Sequence, residues 1–139
     1  LTTESEILDI LCEFNNIFIP SISQKVSNIK DYAKKLSEKS FVYVAKLNKN
    51  LGFVSFYAND FDNKVAYISF IGVHPEARNN KIGKKLLDMC YKKSKEQGMR
   101  YIKLEVQNEN FVAKEFYRKN GFVYLDEASS QSVYMIREI

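Results

Sequence analysis

The sequence predicts an α/β (α+β) protein, with a mixed central β-sheet and helices on both of its faces, from three observations. Apolar residues recur at helical spacing over the first forty positions, switch to a period of two from Phe41, and meet a strand, polar loop and helix in succession near residues 65–97. The resulting order, α-α-β-β-β-α-β-α-β-β, has too many consecutive strands for a purely parallel sheet, so parallel and antiparallel neighbours must be mixed.

Thr3 and Glu6 stand at capping-box spacing, and Ile7, Leu8, Ile10, Leu11 and Phe14 form the stripe of a first helix. A break at Pro20 precedes a second helix with Ile29, Tyr32, Ala33 and Leu36 on one side. Between them, residues 15–23 hold Ile17, Phe18, Ile19 and Ile22, too apolar for a solvated loop and suited to packing over a pocket. Runs 41–47 and 52–57 read as a hairpin joined at residues 48–50, and a turn at 59–63 leads into a third strand, 65–73. A helix over 82–97 stops at Gly98, a strand follows over 101–106, and a shorter helix over 110–120 ends at Gly121. Two strands near 122–125 and 132–139 close the chain.

At 139 residues the chain suits one domain spanning 1–139, because each half would bury too little to stand alone. A composition 45% hydrophobic and 27% charged is that of a folded globular protein rather than a disordered one. Apolar runs are strand-sized and no export signal follows Leu1, so a cytoplasmic protein without a membrane span is expected. Cys12 and Cys90 fall in helical stripes, which reads as two buried thiols rather than a disulfide or metal pair. Residues 78–103 carry nine basic side chains against two acidic ones, a local +7 within a chain of +4. That concentration points to an anionic ligand or to a solvated lysine-rich helix face.

The strand end at Val73, the polar loop and the helix beginning near Ile82 follow one another directly. Such a junction aims unpaired backbone N–H groups and the positive end of a helix dipole outward, a receptive site for pyrophosphate. A nucleotide P-loop is excluded, since position 78 is Arg and Gly83-Lys84 is followed by Lys85. A dinucleotide fingerprint is excluded by the missing G-x-G-x-x-G.

Arg78-Asn79-Asn80-Lys81-Ile82-Gly83 resembles the coenzyme A loop, [RQ]-x-x-G-x-[GA], of the GNAT superfamily of N-acetyltransferases, with Lys81 at the first glycine position. Leu104-Glu105-Val106, Asn110, Ala113, Phe116-Tyr117, Lys119 and Gly121-Phe122 follow the same family's pattern position by position. The resemblance implies a GNAT-like domain whose first strand is absent or truncated, and acetyl-CoA as the acetyl donor with no metal. It implies that the backbone of Ile71, Gly72 and Val73 pairs with the pantetheine arm like an added strand. The N–H groups of Asn79, Asn80, Lys81, Ile82, Gly83 and Lys84 would hold the pyrophosphate, with the Arg78 and Lys84 side chains nearby. Asn110 would bond the pantetheine, and Phe116, Tyr117 and Lys119 complete the implied cofactor set, with Tyr117 beside the thioester sulfur.

Acetyl transfer needs a neutral amine, a stabilised oxyanion and a proton for the departing thiolate. Tyr117 is the candidate acid. Glu105 is the candidate base, directly or through water, on the strand face opposite Ile102, Leu104 and Val106. The Val73 N–H is the candidate oxyanion donor. Cys90, inside a helix stripe, is not placed to be a nucleophile, which favours direct attack in a ternary complex. His74, the sole histidine, reads as a surface residue. The acceptor stays open between a small-molecule amine and a peptide N-terminus, the assembly between monomer and homodimer. The alternative reading is a non-catalytic module, sensing CoA or binding nucleic acid through residues 78–103, although nucleic acid is not the expected partner.

Overall fold

In the computed structural model, which describes residues 2–139 and, for Asn79 and Asn80, the backbone alone, a capping box opens the first helix. The Glu6 N–H donates to Thr3 Oγ1 at 3.2 Å, and the Thr3 N–H donates to the Glu6 carboxylate at 3.4 Å. This helix, α1 (Glu4–Phe14), buries Ile7, Ile10, Leu11 and Phe14. A single turn, α2 (Ile22–Lys25), then precedes α3 (Ile29–Lys39), whose start is capped by Asn28 accepting from the Asp31 N–H. The strands β1 (Phe41–Lys46), β2 (Asn50–Asp60) and β3 (Val65–Val73) form the expected meander. Then come α4 (Ile82–Glu96), β4 (Tyr101–Gln107), α5 (Phe111–Lys119), β5 (Val123–Ser129) and β6 (Ser132–Glu138). Among the described residues no strand precedes α1, and no helix is long and apolar enough to cross a membrane.

The six strands form one sheet in the order β1-β2-β3-β4-β6-β5. Every neighbouring pair is antiparallel except β3 and β4, which α4 joins as a parallel crossover. Each sheet face is covered by its own apolar cluster. On one side Val54, Phe56, Ile68, Ile102 and Leu104 pack with Leu86, Leu87 and Cys90 of α4 and Tyr117 of α5. On the other, Val42, Phe53 and Phe70 pack with α1 and α3. Helices therefore lie on both faces, as the alternation predicts, and each fully buried Phe or Leu contributes about 1.5–3 kcal/mol to holding them there.

Strand β3 changes its facing partway along. Ser55 pairs with Phe70 and Phe56 with Ile68, so Ser69 is an extra residue with no partner of its own on β2. Its hydroxyl lies 2.6 Å from that of Ser55. One inserted residue inverts the side-chain parity. Ala66 and Ile68 accordingly face α4, whereas Phe70 turns to α1 and α3.

Candidate functional site

The parallel pairing of β3 and β4 is short. It runs from Val65 opposite Tyr101 to Ile68 opposite Leu104, although β3 continues to Val73 and β4 to Gln107. Beyond Ile68 the two strands part and leave a gap within the sheet. On the β2 side of β3 the His74 N–H donates to the Leu51 carbonyl at 2.9 Å. Two-residue alternation then directs the backbone groups of Gly72 toward β2, and those of Ile71 and Val73 into the gap. The Val73 carbonyl there accepts from Arg78 Nε at 3.3 Å. Gly72 matters by its lack of a side chain: a β-carbon would stand 2.6 Å from the Phe18 ring. The apolar segment before α2 thus closes over the end of β3.

The loop after β3 is a 3-10 turn, Pro75–Asn80, ending at Lys81 in the left-handed conformation, φ +58° and ψ +25°. A residue with a β-carbon pays for that backbone in steric energy, which explains why glycine suits the position. Lys81 also occupies the N-cap of α4, and its side chain accepts no hydrogen bond from the first turn. The first intrahelical bond is from the Lys85 N–H to the Lys81 carbonyl at 3.1 Å. The N–H groups of Ile82, Gly83 and Lys84 therefore point out of the helix end without intrahelical acceptors. The Ile82 side chain is buried beneath the turn. Lys84 reaches along the helix to Asp88, 3.2 Å away, rather than over the loop.

Phe116 and Tyr117 of α5 meet this turn from below. The Phe116 ring lies against Gly83, and the Tyr117 ring stands between Phe116, at 5.5 Å between centroids, and Phe122, at 5.7 Å. Burial pushes the Tyr117 phenol well above its ordinary range, so it stays protonated and keeps a proton to donate. Asn110 is the N-cap of α5, its Oδ1 accepting from the Ala113 N–H at 3.1 Å, which leaves its amide NH₂ as the group free to meet a ligand. Lys119 is exposed in the last turn of α5.

Glu105 lies on the opposite sheet face from Tyr117, on the part of β4 beyond its pairing with β3. It is half-buried and accepts from the Ser132 hydroxyl at 2.5 Å. Tyr134 is its cross-strand partner on β6. Tyr67 shares the face, its phenol pushed up to about 12 by burial first, with Glu105, Tyr134 and Tyr32 adding to the shift. A candidate acid and a candidate base thus lie on opposite faces of the sheet. Local sequence did not mark Ser132 or Tyr134 as part of this cluster, because only the β4–β6 register brings them to Glu105.

His74 is held elsewhere. Its Nε2 lies 2.8 Å from the Glu13 carboxylate and its ring rests on Phe14, at 4.3 Å between centroids. Burial opposes the Glu13 charge, but hydrogen bonds from His74 and Asn50 outweigh it and hold that carboxyl below its usual range. The histidine ties the end of β3 to α1. Cys90 is buried, its thiol pushed up to about 12 by burial, whereas Cys12, expected to be buried, is exposed because α1 turns that position outward. Among the described residues no three His, Cys, Asp or Glu side chains gather as metal ligands.

A mixed sheet whose two parallel strands part beside the N-terminus of α4, with helices on both faces, defines the class as α/β. The chain belongs to the acetyltransferase (GNAT) family, whose sequence profile matches residues 5–122. An uncharacterized N-acetyltransferase of Methanocaldococcus jannaschii is 37% identical over 93 residues, 63% of this chain and 41% of that protein. The chain thus spans about two fifths of the length of this curated relative. A Bacillus anthracis acetyltransferase crystallised with acetyl coenzyme A is 32% identical, with a TM-score of 0.65 over 73% of this chain and 63% of that one. The PaiA N-acetyltransferase of Thermoplasma acidophilum, solved with coenzyme A, shares the fold with a TM-score of 0.76 at 23% identity, over 100% of this chain and 97% of its own.

Proposed function

We propose that this chain is an acetyl-CoA-dependent N-acetyltransferase that passes the acetyl group from the thioester to a primary amine by direct attack in a ternary complex. The observation that carries this reading is the gap beyond Ile68 and Leu104, into which the backbone groups of Ile71 and Val73 turn. An extended pantetheine arm can complete the sheet there as a strand would. The first turn of α4, whose N-cap Lys81 offers no side-chain acceptor, supports the placing of a pyrophosphate at its end.

In this reading Glu105, directly or through a water, takes the proton that the amine loses as its nitrogen bonds the acetyl carbon. The Val73 N–H faces the charge that develops on the acetyl oxygen. As the carbon–sulfur bond breaks, the protonated Tyr117 phenol supplies the proton that the thiolate takes up. The rival nucleic-acid reading is weakened by local pairing within the basic segment, where Lys84 meets Asp88 and Lys93 meets Glu96.

The experiment is calorimetry with acetyl-CoA, followed by free-thiol release across a panel of amines. A hundredfold excess of ligand over its Kd is expected to add about 2.7 kcal/mol of stability, and at least one amine is expected to release thiol. No binding of acetyl-CoA, together with steeply salt-dependent binding of DNA or RNA, would overturn the reading.

A further inference from the structure

The face that carries Glu105 also carries cations that acetyl transfer does not require. Lys103 lies two residues before Glu105 on β4, on the same side of the strand, with its Nζ 4.3 Å from the centroid of the Tyr134 ring. Lys35 of α3 stands 5.5 Å from the Tyr57 ring, and Lys25 of α2 stands 5.1 Å from Phe70. None of the three has an ion-pair partner among the described residues, in contrast to Lys49, Lys84 and Lys93. Glu105 accepts from Ser132 rather than from Lys103, and the exposed Asp60 carboxylate feels the Lys103 charge without forming an ion pair with it. An ammonium resting on an aromatic ring beside a half-buried carboxylate retains its capacity for an anion.

The spacing and direction of the two charges narrow what can bind. Same-face residues two apart on a strand lie about 6.6 Å apart. An amine and a carboxylate on the same or the neighbouring carbon, each with a charge-assisted hydrogen bond of about 2.8 Å, bridge such a pair once the side chains reach toward them. Glu105 lies beside the gap and Lys103 on the paired part of β4 away from it. The amine end of such a ligand therefore points toward the gap and the carboxylate end away from it. A diamine or polyamine in this orientation would bring its second cation against Lys103.

We propose that the acceptor is a short zwitterion of the amino acid kind, its amine at Glu105, its carboxylate at Lys103, and its side chain against Tyr67 and Tyr134. The proposal rests on the transferase reading above, and Lys103 is its specificity-determining residue. The test measures thiol release from acetyl-CoA with L-leucine, L-phenylalanine, the carboxamides of both, and 1,4-diaminobutane. The carboxamides hold more neutral amine at a given pH, so the intrinsic bias runs against the proposal. The expected result is a kcat/KM for the free amino acids about ten- to a hundredfold above their carboxamides, the size of one hydrogen bond to a charged group. Lys103→Met should bring that ratio toward one by raising KM for the acids, and Lys103→Arg should retain it. Carboxamides or the diamine used as well as the acids, or a ratio unchanged in Lys103→Met, would overturn the zwitterion while leaving the transferase standing. If none of the five compounds releases thiol while acetyl-CoA still binds, the zwitterion falls alone, whereas failure to bind acetyl-CoA removes the transferase reading and the proposal with it.

Discussion

The Phe116 ring rests on the first turn of α4 at Gly83, where a β-carbon would come within 3.0 Å of the ring's Cζ. This contact lets α5 approach the helix end that faces the gap, and it sets where Tyr117 stands. Gly83→Val is expected to destabilise by about 1–3 kcal/mol, as overpacking does. Phe116→Ala in the same chain should recover part of that loss, because the clashing atoms are then gone. Urea unfolding of the two single variants and the double variant checks this, and additive costs would mean that the contact is not what the glycine serves.

Lys81 holds a backbone conformation that costs a residue with a β-carbon about 1–2 kcal/mol relative to the ordinary helical region. Lys81→Gly is accordingly expected to raise stability by about 1 kcal/mol, the strain relief less the entropy that glycine adds to the unfolded chain. The urea midpoint should rise with an unchanged m-value. Lys81→Ala keeps the strain and removes the charge, so the acetyl-CoA affinity of that variant isolates the contribution of the ammonium.

Legibility in the sequence tracked how local each signal was. The capping box of α1, the stripes of α1 and α4, and the strand–loop–helix unit before Ile82 depend on residues within a turn or two of one another. All of them appear in the fold. The bulge at Ser69 was not legible, because Ala66, Ile68 and Phe70 read as one unbroken alternation although Phe70 faces the other side. The setting of Glu105 was half legible. Its face followed from β4 alone, but Ser132 and Tyr134 join it only because β6, and not β5, lies beside β4. Phe18 on Gly72 is likewise a contact between segments far apart in the chain, and only the apolar character of residues 15–23 hinted at it.

Tyr117→Phe removes a proton donor and little else, since the ring would keep its packing between Phe116 and Phe122. If the phenol protonates the leaving thiolate, kcat should fall about a hundredfold or more. The Kd for acetyl-CoA, read by calorimetry, should change little. Burial holds this phenol above its ordinary range, so wild-type activity should show no alkaline loss attributable to Tyr117 below pH about 10. A variant with full turnover would remove Tyr117 from the chemistry.

Among the described residues the buried Tyr57 hydroxyl makes no hydrogen bond of regular geometry, and its polar interaction is with the Tyr32 phenol. Leaving such a group unpaired costs about 1–3 kcal/mol, so Tyr57→Phe is expected to raise stability by about 1 kcal/mol. The same variant should change the alkaline stability. Burial, with Tyr32 adding to it, raises the Tyr57 phenol in the folded chain. Tyr67 is raised to about 12. A phenol raised on folding keeps its proton while the unfolded chain releases it, so the folded state binds more protons above pH about 10 and stability falls as pH climbs from there. Wild-type protein should therefore lose stability between pH about 10 and 12, and Tyr57→Phe should lose less over the same interval. Chemical denaturation at a series of alkaline pH values measures both slopes, and equal slopes would show that Tyr57 finds a partner or water in solution.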